Sequence, residues 1–178
     1  MAVSAATPAN LVVGAGDIYI DAAAGGATTG SNNYVVEQDF FVPQLNGVKG
    51  ALVGTDYKIR EEAFLEFGLA EINATTIGYM IPGSNSATVT DITTVDTDDG
   101  RRVATADYHD YELRVPGLDG KQFSFFADDA IATGNAELEA TDDGLMAPRI
   151  RVRSSWDPAD LTTSPFRIAV DLNATGGS

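Results

Sequence analysis

The feature that most constrains this chain is a strict alternation of side-chain character between Tyr57 and Leu69. Odd positions there are apolar except Glu61, and even positions are polar or small except Phe64. Successive side chains of an extended strand point to opposite sides, so this pattern sets one face on a core and the other against water. The same period recurs downstream. Tyr111, Leu113 and Val115 alternate with Glu112 and Arg114 as far as the turn-rich run Pro116-Gly117-Leu118-Asp119-Gly120. Beyond it Phe123 and Phe125 flank Ser124, which predicts a hairpin over residues 110–127. Ile150, Val152 and Trp156 alternate with Arg149, Arg151, Arg153 and Ser155. Weaker strand patterns cover residues 12–20, 34–42, 87–95, 136–140 and 166–170.

One helix is predicted, over residues 74–81, with Asn73 as its N-cap and Pro82-Gly83 as its stop. A single short helix among about eight strands implies an all-β fold, an antiparallel β-sandwich with one short flanking α-helix. At 178 residues the chain reads as one domain, residues 1–178, long enough to build an ordinary core. Residues 1–10 read as a loose N-terminal arm, residues 171–178 as a C-terminal tail, and residues 22–33 as a flexible Gly-rich loop. Residues 43–56 carry three glycines in a stretch longer than most hairpin connections, which marks an interaction loop.

Charge narrows the function. The chain holds 11 Lys and Arg against 26 Asp and Glu, a net charge of −15. General nucleic-acid binding needs a basic face that displaces counterions, and this balance works against it. Its 18 Asp against 8 Glu and 3 Lys against 8 Arg fit a salt-rich environment, as in a halophilic host, although codon bias produces a similar composition. The chain has no cysteine, which removes disulfides, thiolate catalysis and cysteine-ligated metals. No stretch reaches the roughly 18–20 apolar residues of a spanning helix, and the first residues lack the basic start of a signal peptide, so no membrane partner is expected.

Catalytic patterns are missing. His109 is the sole histidine, which excludes His-rich metal sites, and its surroundings (Asp107-Tyr108-His109-Asp110) read as a structural loop. There is no Gly-x-Ser-x-Gly elbow and no phosphate-cradling loop, and Gly14-Ala15-Gly16 leads into a strand instead of a helix. Asp96-Thr97-Asp98-Asp99-Gly100 resembles the opening of a calcium loop, but its glycine falls one position early and the closing glutamate is absent. The chain reads as a non-enzyme without a cofactor. One group stands apart: Arg149, Arg151 and Arg153 share a strand face in an acidic protein. That face is either simply solvated or pairs with carboxylates of a second copy, for which arginine's forked geometry is suited.

The ordered set of elements resembles the major tail tube protein of long-tailed, siphovirus-type phages and archaeal tailed viruses. The resemblance runs over residues 11–170. It starts at Val13-Gly14-Ala15-Gly16-Asp17-Ile18-Tyr19-Ile20-Asp21 and continues through Gly47-Val48-Lys49-Gly50, the strand over residues 63–69, and Ala70-Glu71-Ile72 before the helix. It ends with Gly134-Asn135-Ala136-Glu137-Leu138-Glu139, Asp142-Asp143-Gly144, Ile150-Arg151-Val152, Trp156-Asp157-Pro158-Ala159-Asp160 and Ser164-Pro165-Phe166-Arg167-Ile168. The resemblance implies six-membered rings stacked into a hollow tube, assembled in the host cytoplasm and residing in the virion tail. Viral double-stranded DNA would pass through the channel without specific binding. A tape-measure protein and tail terminator or tip proteins would be further partners.

On that basis Glu37, Asp39, Glu62, Glu66 and Glu112 are channel-lining candidates, with Ile59, Leu65, Phe67, Leu113 and Phe123 turned to the core. Gly47, Val48, Lys49, Gly50, Arg149, Arg151 and Arg153 are candidates for contact between subunits. The competing expectation is a monomeric β-sandwich that binds calcium or carbohydrate, with Asp96, Asp98, Asp128 and Asp129 as ligands.

Overall fold

A computed structural model describes residues 16–43, 53–70, 73–89, 92–97, 103–117, 121–134 and 148–171. Nine strands and one helix follow in order: β1 (Asp17–Ile20), β2 (Ala23–Phe41), β3 (Tyr57–Leu69), α1 (Ala74–Met80), β4 (Ser84–Val89), β5 (Ile92–Thr97), β6 (His109–Pro116), β7 (Gln122–Ala132), β8 (Arg149–Arg153) and β9 (Phe166–Asp171). All pairings are antiparallel. The chain is an all-β sandwich with one short helix.

Two long strands hold the layers together. β2 pairs with β1 through its first residues and with β3 over most of its length. β7 pairs with β6 along one edge, while its other edge is shared between β9 and, at Ile131 and Ala132, β8. One layer is therefore β9-β7-β6-β1-β2 and the other β2-β3-β8-β7, and the hydrogen-bonded ladder runs through both seams. Strands that turn from one sheet into the next form the corners of such sandwiches.

The alternation explains the core. Leu65, Phe67 and Leu69 of β3 and Ile150 and Val152 of β8 are buried from one layer. Ile18, Ile20, Tyr111, Leu113, Val115 and Ala127 meet them from the other. Phe67 and Tyr111 lie with ring centroids 6.0 Å apart at the middle of the interface.

Four expectations change. Residues 22–33 are not a loop: from Ala23 they form the start of β2. Within them Gly26 and Gly30 take positive φ (109° and 71°) and Gly25 allows close approach, a Cβ there standing 3.1 Å from Ile18; across the seam a Cβ on Gly68 of β3 would stand 2.6 Å from the Thr29 carbonyl oxygen. Thr28 supplies the missing anchor, its hydroxyl donating to the Gly16 carbonyl (2.6 Å) and accepting from the Gly16 N–H (3.1 Å). Residues 87–95 are not one strand but parts of the β4–β5 hairpin; Asp91 is the one break in an otherwise Thr-rich, apolar run. His109 lies in β6 instead of a loop. Asp171, placed in the tail, closes β9. The hairpin over 110–127 is formed by β6 and β7. The helix follows its sequence signals: Asn73 accepts from Thr76 N–H, Thr76 Oγ1 accepts from Asn73 N–H, and α1 ends one residue earlier than expected, at Met80. The 1–10 arm, residues 136–140 and most of the 171–178 tail lie outside the described residues.

Candidate functional site

The chemistry of this surface resides in its exposed strands. Beyond Ala27 no described strand pairs with the second edge of β2, and β8 leaves β3 at the Phe64–Arg153 pair. The far half of the β2–β3 hairpin is therefore a two-stranded ribbon projecting from the sandwich. It carries Val35, Phe40, Phe41, Tyr57 and Ile59 exposed. Ile59, expected in the core, is 68% exposed, because the opposite layer does not extend under the ribbon. Leu65, Phe67 and Leu113 are buried as expected, and Phe123 is only half-buried.

The channel-lining candidates divide between two faces. Cross-strand partners share a side, and the register Glu37–Glu62, Asp39–Arg60 and Glu66–Arg151 puts Glu37, Asp39, Glu62 and Glu66 together on the outer face of β2-β3-β8. Glu112 does not join them. It lies on the outer face of the other layer, where the guanidinium of Arg114 donates to both its oxygens at 2.8 Å. That pair holds the Glu112 carboxyl below its ordinary range, against partial burial.

Arg149, Arg151 and Arg153 occupy the same outer face as the four acids. Arg149 meets Glu66 at 2.9 Å, and the guanidinium of Arg151 stacks 4.4 Å over the Phe64 ring. Arg60 bonds to Glu62 at 2.6 Å, and this bond, with the charge of Arg153 behind it, lowers the Glu62 carboxyl. Of the strip, Arg149 thus pairs with a carboxylate of its own chain, and the charge of Arg153 acts on Glu62. The face is charge-compensated: four acids stand against Arg60 and the three arginines of β8.

An open groove of about 610 Å³ runs beside the ribbon, lined by Lys58, Ile59, Arg60, Glu61, Glu62, Arg153, Ser154, Ser155 and Trp156. Glu61, on the core side of the ribbon, accepts from Lys58 and Gln38, and those bonds lower its carboxyl. A second open edge belongs to β9, which pairs only with β7 among the described residues. Its Ile168 and Val170 are 57% and 47% exposed.

Among the described residues the remaining candidates do not gather into a site. Asp128 pairs with Arg167 at 2.9 Å. Asp129 sits at φ 45° on the bulge of β7, and its carboxyl is raised by desolvation and by Asp110 and Asp157. Among the described residues no group of three or more His, Cys, Asp or Glu is placed to hold a metal ion. Asp98 and the loop residues Gly47, Val48, Lys49 and Gly50 lie outside the described residues, as does the side chain of Asp96. His109 donates through Nδ1–H to Asp21 Oδ2 at 2.7 Å and packs edge-on against Tyr79, a structural use. Sequence alternation could locate these faces, but not the ribbon, because nothing in it records where the partnering strands stop.

Comparison with family models and with curated proteins gives no match to this chain. Among the described residues, no helix is long and apolar enough to cross a membrane.

Proposed function

We propose that this protein is a structural subunit of a viral tail, forming hexameric rings that stack into the tube through which double-stranded DNA passes. One observation carries the reading: among the described residues, the β2–β3 ribbon and β9 leave strand edges and apolar side chains uncovered. A monomer gains nothing from such edges, which template pairing with other chains, whereas a closed assembly removes them. Two different surfaces are what a head-to-tail ring with a second, stacking contact requires.

The charge-compensated face of β2-β3-β8 is our candidate for the channel wall. Acids and arginines neutralise one another along it, so it offers passing phosphates little purchase. In this reading Glu37, Asp39, Glu62 and Glu66 line the channel and Glu112 does not.

The test is electron microscopy of the purified protein in molar salt, combined with a mass measurement in solution. Rings or tubes are expected; a monodisperse monomer at high concentration overturns the proposal. For the wall, Glu37→Lys with Glu66→Lys leaves a net basic face, and tubes bearing both are expected to assemble while passing DNA more slowly. A reconstruction that places Leu65 and Phe67 against the channel refutes the assignment of that face.

A further inference from the structure

We infer that the guanidinium of Arg151 is a phosphate contact, one from each subunit, through which the outer face of β2-β3-β8 touches the backbone of duplex DNA. The inference takes its partner from the wall assignment above and adds the site. Two observations and an argument from charge lead to it.

The first observation compares three like devices on the outer faces. Arg114 stands 3.8 Å over the Tyr19 ring, Arg167 4.1 Å over Phe126 and Arg151 4.4 Å over Phe64. In the first two the fork is filled, since Arg114 holds Glu112 at 2.8 Å and Arg167 holds Asp128 at 2.9 Å. Arg151 makes no ion pair among the described residues and is exposed on β8. Its fork is therefore anchored on a ring with its donors open to solvent. A guanidinium held in this way has lost side-chain freedom before a ligand arrives, so less entropy opposes binding.

The second observation separates Arg151 from its neighbours on the strand. Arg149 bonds to Glu66 at 2.9 Å and to the Ser31 carbonyl at 3.3 Å. The charge of Arg153 acts on Glu62. Glu66 stands across from Arg151 in the β3–β8 register, yet its carboxylate turns to Arg149. Of the three arginines, only Arg151 has neither an ion pair nor a carboxylate on which its charge acts.

Charge then limits what fits. A planar fork matches the paired oxygens of a phosphate or a carboxylate. The carboxylates beside Arg151 leave it unbonded, whereas the channel reading carries phosphates along this face. Glu66 close by keeps the contact weak, so DNA is touched and released instead of held. The face remains neutral as a whole, and Arg151 is the point on it where a phosphate finds an open fork.

The test follows the arginine Nε–H resonances of the isotope-labelled protein by NMR while a short DNA duplex is added at moderate salt. The Arg151 signal is expected to move, and those of Arg114 and Arg167, whose forks are filled, to stay. Duplex affinity is expected to fall with salt at a log–log slope of about −0.9, the value for one phosphate contact. Phe64→Leu keeps the charge but loses the stack, and is expected to weaken duplex binding about two- to five-fold, the worth of one exposed cation–π contact. Arg151→Lys keeps the charge without the fork and is expected to weaken it as well. Both variants are first checked for native circular dichroism. Equal movement of all arginine signals, no movement at all, or unchanged binding by Phe64→Leu overturns the site. Movement with polyglutamate but not with duplex assigns the fork to a carboxylate partner and also overturns it. So does inorganic phosphate that moves the signal as far as duplex does at equal phosphate concentration, which assigns the fork to a free ion. Rings on grids with no Arg151 response overturn this contact and leave the ring reading standing. A monomer whose Arg151 still responds to duplex keeps the contact and overturns the ring.

Discussion

Asp129 shows how one side chain can oppose the fold that holds it. Its φ of 45° lies where most residues are strained and where asparagine is well tolerated, and Asp110 and Asp157 add like charge. With a carboxyl raised in the folded state, the charged form costs stability above that raised value, and the cost disappears below the ordinary aspartate range near pH ~4. Asp129→Asn is therefore expected to raise the melting temperature at pH 7 and to match the parent below about pH 4. Bond pairing keeps its backbone role, since the N–H of residue 129 still donates to Asp110 Oδ1. A melting series that shows no difference at pH 7 contradicts this account. Glu37 raises a related case. It stands directly across from Glu62, and like charges so placed weaken a ladder, so Glu37→Lys is expected to stabilise the isolated subunit by roughly 0.2–1 kcal/mol in denaturant titrations. Unchanged or lower stability would mean that Arg60 and Arg153 already cancel the repulsion.

At the scale of elements, α1 depends on its cap. Seven residues make a marginal helix on their own, and here Asn73 and Thr76 satisfy each other's backbone donors. Asn73→Ala is expected to cost about 1 kcal/mol, read from the denaturation midpoint, and no loss would refute the capping role. The β2–β3 seam depends instead on missing atoms. Gly68→Ala brings a Cβ against the Thr29 carbonyl, which cannot move aside as a flexible side chain would, so a loss of about 1–3 kcal/mol is expected. Residues 22–33 mislead for two reasons: Gly26 and Gly30 hold the positive φ that favours turns when read locally but here belong to one irregular strand, and Gly25 is small because Ile18 stands against it. The alternation in β3, β6 and β8 was legible because each of these strands faces core on one side and stays paired through that region. The ribbon was not, since Ile59 satisfies the apolar pattern with no opposite layer beneath it. Arg149 and Glu66 are far apart in sequence, and only the β3–β8 register brings them together. The candidate site was therefore legible as faces, but not as pairs.

For the whole molecule, a net charge of −15 sets the terms of association. Packing copies side by side concentrates like charge, and a Debye length of about 3 Å at 1 M salt removes most of that repulsion. Assembly is expected to advance steeply between low and molar salt by light scattering; equal assembly at both would show that charge does not limit it. The two strands shared between layers have a separate consequence. Because β2 and β7 each serve both sheets, neither sheet can open without dragging the other. Protection of amides against solvent deuterium should therefore fail in one event spanning Leu65 of one layer and Leu113 of the other, while the β4–β5 hairpin, paired only with itself among the described residues, loses protection earlier. In the proposed ring such a body would pass mechanical load from one neighbour to the next without stretching.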